Sequence, residues 1–238
     1  MSWLARERRP EPELMDAGAA VEAYASAAAE THLRRLDQGF VDHVARLLGP
    51  AGNGAGLVAL DIGCGPGAIP IMIARRWPAL SIVAVDAAAP MIERARSDAE
   101  AAGVAVRFEV ARLGPGGAGG LDFPAASFDL VTCNSVLHHL ADPGGALAEI
   151  ARVAKPAAAV LLRDLRRPGA LAYRLHVRLF GRHYRGEMGR LFEASVGAAY
   201  TRPELDALLA RSPLAGRSRV FGRGLSHIGI ERPALERT

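Results

Sequence analysis

Several residue types are scarce in this 238-residue chain, and each scarcity excludes a class of protein. Its two cysteines, Cys64 and Cys133, are too few for the disulfide framework of a small secreted domain. No run of about 18 apolar residues is present, so we expect no spanning helix and no membrane role. The N-terminus has charges but lacks the apolar region of a secretory signal, and we therefore expect a cytoplasmic protein.

The composition suits one folded α/β domain. Hydrophobic residues make up 50% of the chain, which allows a full core and disfavours disorder. Aromatic residues contribute only 5%, so this core must consist mainly of alanine, leucine and valine. Lys155 is the only lysine, and the net charge of +4 is carried by arginine. This charge permits anionic partners without indicating them.

From residue 57 onward, short apolar runs alternate with segments of helical periodicity. We predict strands at 57–60, 81–85, 104–110, 128–133, 157–163, 220–221 and 227–230. We predict helices between them at 68–76, 89–102, 143–154, 170–194 and 203–211. This order predicts a doubly wound, mostly parallel sheet of seven strands in an α/β domain over 49–238.

Two further regions accompany this domain. Residues 1–14 are charged and contain two prolines, which predicts a flexible tail. Residues 15–48 show apolar side chains at three- and four-residue spacing, so we predict an N-terminal helical lid that Gly39 divides in two. We expect a cap segment to be inserted at about 166–201.

The segment from Asp61 to Gly67, DIGCGPG, follows the first predicted strand and opens a helix. Glycines allow the backbone to turn sharply and to approach a ligand closely, while the helix start supplies free N–H groups. Taken alone, the glycines also fit a purely structural turn. Asp61 would repel a pyrophosphate but would attract a cationic amino-acid ligand. Its presence therefore favours a cationic amino-acid ligand over a dinucleotide.

Asp86 ends the next predicted strand, about 20 residues after the glycine loop. An acid at this spacing is placed to accept hydrogen bonds from two ribose hydroxyls. The alternative is that Asp86 caps the helix predicted at 89–102.

Three motifs occur in a fixed order, ALDIGCGPG, IVAVDAAAPMIERAR and FPAASFDLVTCNSVLHHLADPGGALAEIARVAKP. Over residues 57–165 this series resembles the class I S-adenosylmethionine (SAM)-dependent methyltransferases, specifically the small-molecule branch of ubiquinone-biosynthesis type. The resemblance implies a Rossmann-like methyltransferase fold, SAM as cofactor and S-adenosyl-L-homocysteine as product. It implies that SAM is bound by Asp61, Gly63, Cys64, Gly65, Gly67, Asp86, Ala87, Met91, Arg112, Leu113 and Asn134.

The chain departs from this family after the third strand. The family usually has Gly-Asp-Ala there, with the aspartate bound to the adenine amino group, whereas this chain has Ala111, Arg112 and Leu113. An arginine cannot accept that hydrogen bond. Adenine must therefore be held by backbone or packing, or the insertion at 114–120 displaces the alignment.

SAM is already an activated methyl donor, so a base is required only for an acceptor that is protonated at the working pH. The candidate bases are His139, His138 and His176, in that order. Adjacent histidines cannot face the same way on a helix, so we expect at most one of the first two in the pocket. Both could instead be helix-terminal residues. We expect no metal, because no second cluster lies at ligand spacing.

The acceptor must be bound by the less regular segments. The candidate substrate residues are Tyr24, Asn134, His139, Tyr184, Met188, Phe192 and Glu193. Residues 163–190 also contain eight arginines, which could form a solvated face, an anion-binding lid or an RNA-binding surface.

We expect in-line methyl transfer to a small-molecule acceptor, which the arginines would allow to be anionic. The alternatives are RNA methylation and a SAM-binding regulatory protein without transfer activity. The chain could form a homodimer. A nicotinamide-dependent oxidoreductase fits less well, because the chain has no Tyr-x-x-x-Lys pair.

Overall fold

The computed structural model describes residues 7–11, 31–113, 120–184 and 186–235. Tyr24, and residues 15–30 of the predicted lid, lie outside the described residues. No helix in the described part of the chain combines the length and apolar character needed to cross a bilayer.

Within these described ranges, seven strands form one sheet in the order β3-β2-β1-β4-β5-β7-β6. The strands are β1 Val58–Ile62, β2 Ser81–Asp86, β3 Arg107–Val110, β4 Phe128–Asn134, β5 Ala154–Leu165, β6 Arg219–Arg223 and β7 His227–Arg232. All pairs are parallel except those of β7, which runs antiparallel to both β5 and β6. The predicted doubly wound α/β fold is confirmed.

Helices connect the strands and cover both faces of the sheet. They are α1 Thr31–Leu48, α2 Ala68–Arg76, α3 Ala89–Ala102, α4 Pro143–Val153, α5 Tyr173–Phe180, α6 Gly186–Ala198 and α7 Arg202–Ala210. In the described segments, the short 3₁₀ turns Leu137–His139 and Gly181–His183 follow β4 and α5.

Successive residues of a strand pack into different apolar clusters on the two faces of the sheet. This explains why the strand sequences are continuous apolar runs. In β4, Leu130 packs with the cluster that includes α1 and α2, whereas Val131 packs with the cluster that includes α4 and α7. Both residues are fully buried. A strand covered on both faces has no position for a solvent-facing polar residue, so the alternating pattern of a half-exposed strand is absent.

The strand order reverses between β1 and β4, because β2 follows β1 on one side and β4 lies on the other. In open α/β sheets, such a switch point leaves a crevice beyond the carboxyl ends of the two strands. The residues that follow β1 and β4, Gly63 and Ser135, are both placed at this crevice.

Three predicted elements differ from the structure. Helix α1 passes through Gly39 without a break, and a Cβ there would lie 2.1 Å from a guanidinium nitrogen of Arg223, so this glycine makes room for that side chain. The single helix predicted at 170–194 is divided into α5 and α6 by the turn Gly181–His183. Strand β5 extends beyond the predicted 157–163 at both ends.

The described part of the predicted flexible tail, residues 7–11, is held against the C-terminal end of α6. The backbone N–H of Arg9 donates to the carbonyl of Gly197 (3.1 Å), and the Arg8 side chain donates to the carbonyls of Ala198 (2.7 Å) and His138 (2.9 Å). The Arg8 guanidinium also lies 4.5 Å from the centre of the Tyr200 ring. These contacts differ from the loose tail that the charged sequence predicts.

Candidate active site

Two adjoining cavities occupy the crevice at the carboxyl ends of the strands. The first has a volume of about 210 Å³ and the second about 330 Å³. They share a wall made of Gly63, Gly65, Asn134, Ser135, His139 and Leu191. The glycine loop and the residues that follow β4 therefore face both spaces.

The glycine loop is fixed against the end of β2. The N–H groups of Gly63 and Cys64 both donate to the carbonyl of Val85, at 2.8 and 3.0 Å. Gly63 has φ 70°, and a Cβ there would lie 2.2 Å from Cγ2 of Val136. Glycine is therefore required both by the left-handed backbone and by the close approach of the turn after β4.

Gly67 lies next to this loop but lines neither cavity. A Cβ at Gly67 would lie 2.9 Å from Cβ of Ala95 and 3.2 Å from the Phe108 ring. The structure therefore places Gly67 in the packing of α2 against its neighbours, which differs from the predicted contact with the cofactor.

Asp86 lines the first cavity, and its two carboxylate oxygens accept from different parts of the backbone. One accepts from the N–H of Gly65 at 2.8 Å and the other from the N–H of Ala88 at 2.9 Å. The residue that caps α3 is Ala88, so Asp86 is not its cap. Each carboxylate oxygen retains a second lone pair for a ligand hydroxyl.

Most of the predicted cofactor residues meet at this first cavity. The predicted residues that line it are Gly63, Gly65, Asp86, Ala87, Met91, Arg112, Leu113 and Asn134. The N–H of Ala111 donates to the carbonyl of Asp86 (2.9 Å), which holds the segment after β3 at the cavity. Among the described residues that line this cavity, the carboxylates are Asp86 and Glu11, so residues 111–113 offer no acid in place of the missing aspartate.

Asp61 and Cys64 line the second cavity, together with Asp37 of α1. Burial raises the pKa of Asp61 to about 7, although Thr132 donates a 2.7 Å hydrogen bond to its carboxyl group. Burial also raises the pKa of Asp37 to about 6, against the opposing effect of Arg163. Two desolvated carboxyl groups in one cavity favour a cationic ligand. The amino acid end of SAM, with its ammonium and sulfonium groups, fits this charge.

Arg163 connects the turn after β4 to α1. It is 3% exposed, and its Nε donates to Oδ1 of Asn134 at 2.8 Å. Its Nη1 donates to the carbonyl of Leu36 at 2.8 Å, and its Nη2 lies 3.7 Å from Asp37. The guanidinium also lies 4.7 Å from the centre of the Phe40 ring. The orientation of the Asn134 amide is therefore set by a side chain that also holds α1 in place.

His138 and His139 both line the second cavity, so the expectation that at most one would do so is wrong. They lie on a 3₁₀ turn of three residues rather than on an α-helix, and their ring centres are 4.0 Å apart. Burial lowers the pKa of His138, but the Asp164 carboxylate more than reverses this effect and leaves it raised. Burial, with the charge of His138 next, lowers the pKa of His139 to about 4.

The predicted acceptor residues of the cap segment divide into two groups. Tyr184, Met188 and Phe192 line the second cavity, and the rings of Tyr184 and Phe192 are 5.1 Å apart. Glu193 is exposed and outside both cavities, so the structure does not support its predicted substrate contact. The third candidate base, His176, is buried against Phe180 and lines neither cavity.

The two cysteines are free and buried. Burial raises the pKa of both thiols, so neither is available as a thiolate nucleophile near neutral pH. Cys64 contributes its uncharged side chain to the wall of the second cavity.

Sequence reasoning missed seven polar residues that line these cavities: Glu11, Asp37, Ser135, Arg163, Ser195, Ser226 and His227. It also missed Asp164, which lines neither cavity but is hydrogen-bonded to His138. Arg163 and Asp164 carried a usable signal, since adjacent charges at the carboxyl end of a buried parallel strand lie where such sheets bind ligands. Asp37 and Glu11 carried no such signal, because each reaches the site through contacts with residues more than 120 positions away.

Known proteins resemble both the sequence and the fold of this chain. A family profile described as a methyltransferase domain matches residues 60–162. A demethylmenaquinone methyltransferase of Thermus thermophilus is 32% identical over 186 residues, which cover 73% of this chain and 82% of that protein. A ubiquinone biosynthesis O-methyltransferase of Hahella chejuensis is 34% identical over 136 residues, covering 56% of this chain and 50% of that protein.

Among solved structures, the plantazolicin methyltransferase BpumL in complex with SAH superimposes with a TM-score of 0.68. The match covers 92% of this chain and 91% of BpumL at 11% identity, so it supports the fold alone. A SAM-dependent methyltransferase from Aquifex aeolicus has a TM-score of 0.54 at 19% identity and covers 82% of this chain and 98% of that one.

Proposed function

Since this chain belongs to the class I SAM-dependent methyltransferases, acting on a small-molecule acceptor, we propose that its acceptor is a hydroxylated aromatic ring of the quinol type. The observation that carries this proposal is the second cavity. Part of its lining is the wall shared with the first cavity, and much of the rest is apolar and partly aromatic. The apolar residues outside the shared wall include Leu33, Leu36, Phe180, Tyr184, Met188 and Phe192.

When bound, SAM supplies an activated methyl group on a sulfonium. The residues of this chain then need to orient both reactants and exclude water. Asp86 and the segment Ala87–Met91 bind the adenosine end at the first cavity, while Asp61 and Asp37 offset the positive charge at the second. Asn134, oriented by Arg163, lies between the two cavities, where it positions the reacting groups.

The polar residues of the second cavity suit a ring that carries oxygen atoms. The basic side chains that line this cavity include Arg163, His138 and His139, and Asn134 and Ser135 offer neutral hydrogen-bonding groups. An acceptor hydroxyl that becomes negatively charged during transfer would be stabilised by such groups. Of the three candidate bases, we assign this part of the chemistry to His138 and His139 and not to His176.

The named relatives agree with this acceptor class, because one is a demethylmenaquinone methyltransferase and another a ubiquinone biosynthesis O-methyltransferase. RNA methylation is a weaker candidate. Two arginines of the basic segment, Arg163 and Arg167, are only 3% and 2% exposed and interact with Asp37 and Glu204, so they are not available to phosphates.

The proposal is tested by incubating the purified protein with SAM and a panel of acceptors, and measuring S-adenosylhomocysteine release. The panel contains a water-soluble quinol, a phenol, an aliphatic alcohol, an amine and a short RNA. We expect turnover with the quinol and the phenol. A Phe192→Ala variant should raise KM for these rings, and a matched Phe123→Ala variant, outside both cavities, should leave KM unchanged. Turnover with only the amine or the RNA would contradict the proposal.

A further inference from the structure

The first residue of the histidine pair after β4, His138, is held in place by Asp164 of β5. Nδ1 of His138 lies 2.6 Å from Oδ1 of Asp164, and Oδ2 of the same carboxylate accepts from the His138 backbone N–H at 3.0 Å. Asp164 thereby sets the ring orientation of His138 and directs its other nitrogen, Nε2, away from β5. In metal sites, a carboxylate in this arrangement commonly orients a histidine ligand.

Nε2 of His138 has no hydrogen-bond partner among the described residues, although the residue is only 2% exposed. A buried polar nitrogen without a partner is costly, so its presence requires an explanation. The nearest acidic atom is Oε2 of Glu11, at 3.7 Å, which is too long for a hydrogen bond. The two atoms therefore approach each other without forming a hydrogen bond.

Glu11 also faces His139, whose Nδ1 lies 3.5 Å from the same carboxylate oxygen. Ser195 donates a 2.9 Å hydrogen bond to that oxygen and orients the carboxylate. Glu11 itself is held in place by the contacts of Arg8 and Arg9 with the end of α6. One oxygen and two imidazole nitrogens therefore all lie within 4.8 Å of one another.

We propose that Glu11, His138 and His139 bind a divalent first-row transition metal ion between the two cavities. Two imidazoles and one carboxylate are a typical ligand set for Zn²⁺ or Fe²⁺, with further positions open to solvent or substrate. A tetrahedral ion at ~2.0–2.1 Å from each ligand separates the ligand atoms by ~3.4 Å. The 3.5 and 3.7 Å separations at Glu11 are close to this value. The sequence predicted no metal because Glu11 is remote in the chain.

The charges around the site agree with a cation. Glu11 and Asp164 are both buried and lie on opposite sides of His138. A divalent ion between Glu11 and the imidazoles would offset the cost of burying this negative charge.

An ion here would lie beside the wall shared by the two cavities, since His139 lines both. A hydroxyl oxygen that coordinates it would have its pKa lowered, so that His138 and His139 would act as ligands rather than as a base. The activation of an acceptor hydroxyl by the ion rests on the proposed function, but the binding of the ion does not. The two proposals can therefore fail separately.

The test is to remove metals with a chelator and to titrate the full chain with Zn²⁺ by calorimetry and with Co²⁺ by absorption spectroscopy. We expect one ion per chain. Glu11→Gln and His139→Gln should each weaken binding by more than the ~10–100-fold typical of a residue that only orients a ligand. Glu93→Gln and His183→Gln alter exposed residues away from the site and should bind as the wild type does.

Asp164→Asn tests the positioning of His138, and we expect ~10–100-fold weaker binding together with a shifted Co²⁺ absorption band. Asp164 is buried and also supports the fold, so a loss of binding in Asp164→Asn has two explanations. Glu11→Gln carries the decisive result, because the segment that contains Glu11 packs on the outside of the α/β domain. The proposal is overturned if the wild type binds neither ion, or if Glu11→Gln and His139→Gln bind as tightly as the wild type. A sulfur-to-cobalt charge-transfer band would also overturn it, by placing the ion on a cysteine.

Discussion

Replacing Asp86 with alanine should weaken the binding of S-adenosylhomocysteine by about 10–150-fold. Both carboxylate oxygens of Asp86 already accept a backbone N–H, at 2.8 Å from Gly65 and 2.9 Å from Ala88, and each retains a lone pair toward the first cavity. A hydrogen bond to a charged group contributes about 1.5–3 kcal/mol, and each ~1.4 kcal/mol corresponds to a tenfold change in affinity. This range gives the expected loss.

The assay must separate lost ribose contacts from a disturbed loop, because the variant also leaves the N–H of Gly65 without its acceptor. We would measure by calorimetry the affinities of wild type and Asp86→Ala for S-adenosylhomocysteine and for its 2′,3′-dideoxy analogue. The wild type should prefer the natural ligand, and the variant should bind both about equally. An Asp98→Ala variant, altered on the exposed side of α3, serves as the matched control.

If Asp86→Ala still discriminates between the two ligands as strongly as the wild type, Asp86 does not bind the ribose. Equal melting temperatures of the Asp86 and Asp98 variants would show that the fold is unaffected. An affinity that is low for both ligands, with a normal preference, would place the effect of Asp86 in the loop alone and refute the reasoning.

Two further substitutions test the glycine loop and its acid. The pKa of Asp61, about 7, lies above its ordinary 3.8, so the ligand-free wild type loses stability as pH rises between these values. Asp61→Asn should therefore gain stability over the wild type from about pH 5 to about pH 8, by on the order of a few kcal/mol at ~1.4 kcal/mol per tenfold change in ionisation. Urea unfolding measures this gain, and a gain that is independent of pH would contradict it. Gly63→Ala should destabilise the protein more than Gly56→Ala, because φ is positive at both positions but only Gly63 has a neighbour, Val136, at 2.2 Å from the added Cβ. Adding Val136→Ala should restore part of that loss in thermal melts, and equal melting temperatures of the two glycine variants would exclude the steric explanation.

The sheet and the cofactor loop could be predicted because their signals are local. Strands buried on both faces appear as apolar runs, and the conformation of Gly63 is decided by the turn in which it lies. Most predicted strand and helix ends agree with the structure within three residues, including β5, where Ala154–Pro156 extend the predicted strand. The larger error is the helix predicted at 170–194, which is broken by a turn and ends at Ala198. At the N-terminal end of β5, Ala154 pairs with Phe128 of β4, so tertiary contacts rather than apolar pattern set that boundary.

The acceptor side of the site was less predictable, because its residues meet only in the folded chain. Glu11 is more than 120 residues from the histidine pair in the sequence, and no periodicity of side chains predicts a contact over such a separation. The orientation of His138 and His139 depends on a 3₁₀ turn, which side-chain spacing does not distinguish from an α-helical one. Arg112 illustrates a different limit, since a missing motif residue shows what is absent but not what replaces it.

The single lysine has a practical consequence. Lys155 lies at the start of β5, paired with Asp129 at 2.8 Å and about one-third exposed, while the cavities open beyond the other end of that strand. At ~3.3 Å per residue, the eight residues from Lys155 to Arg163 separate them by ~26 Å. Amine-reactive dyes and surface supports therefore have one lysine to modify. It lies at the end of the strand opposite the ligand cavities. Binding and turnover can be followed on labelled or immobilised protein with both cavities left open.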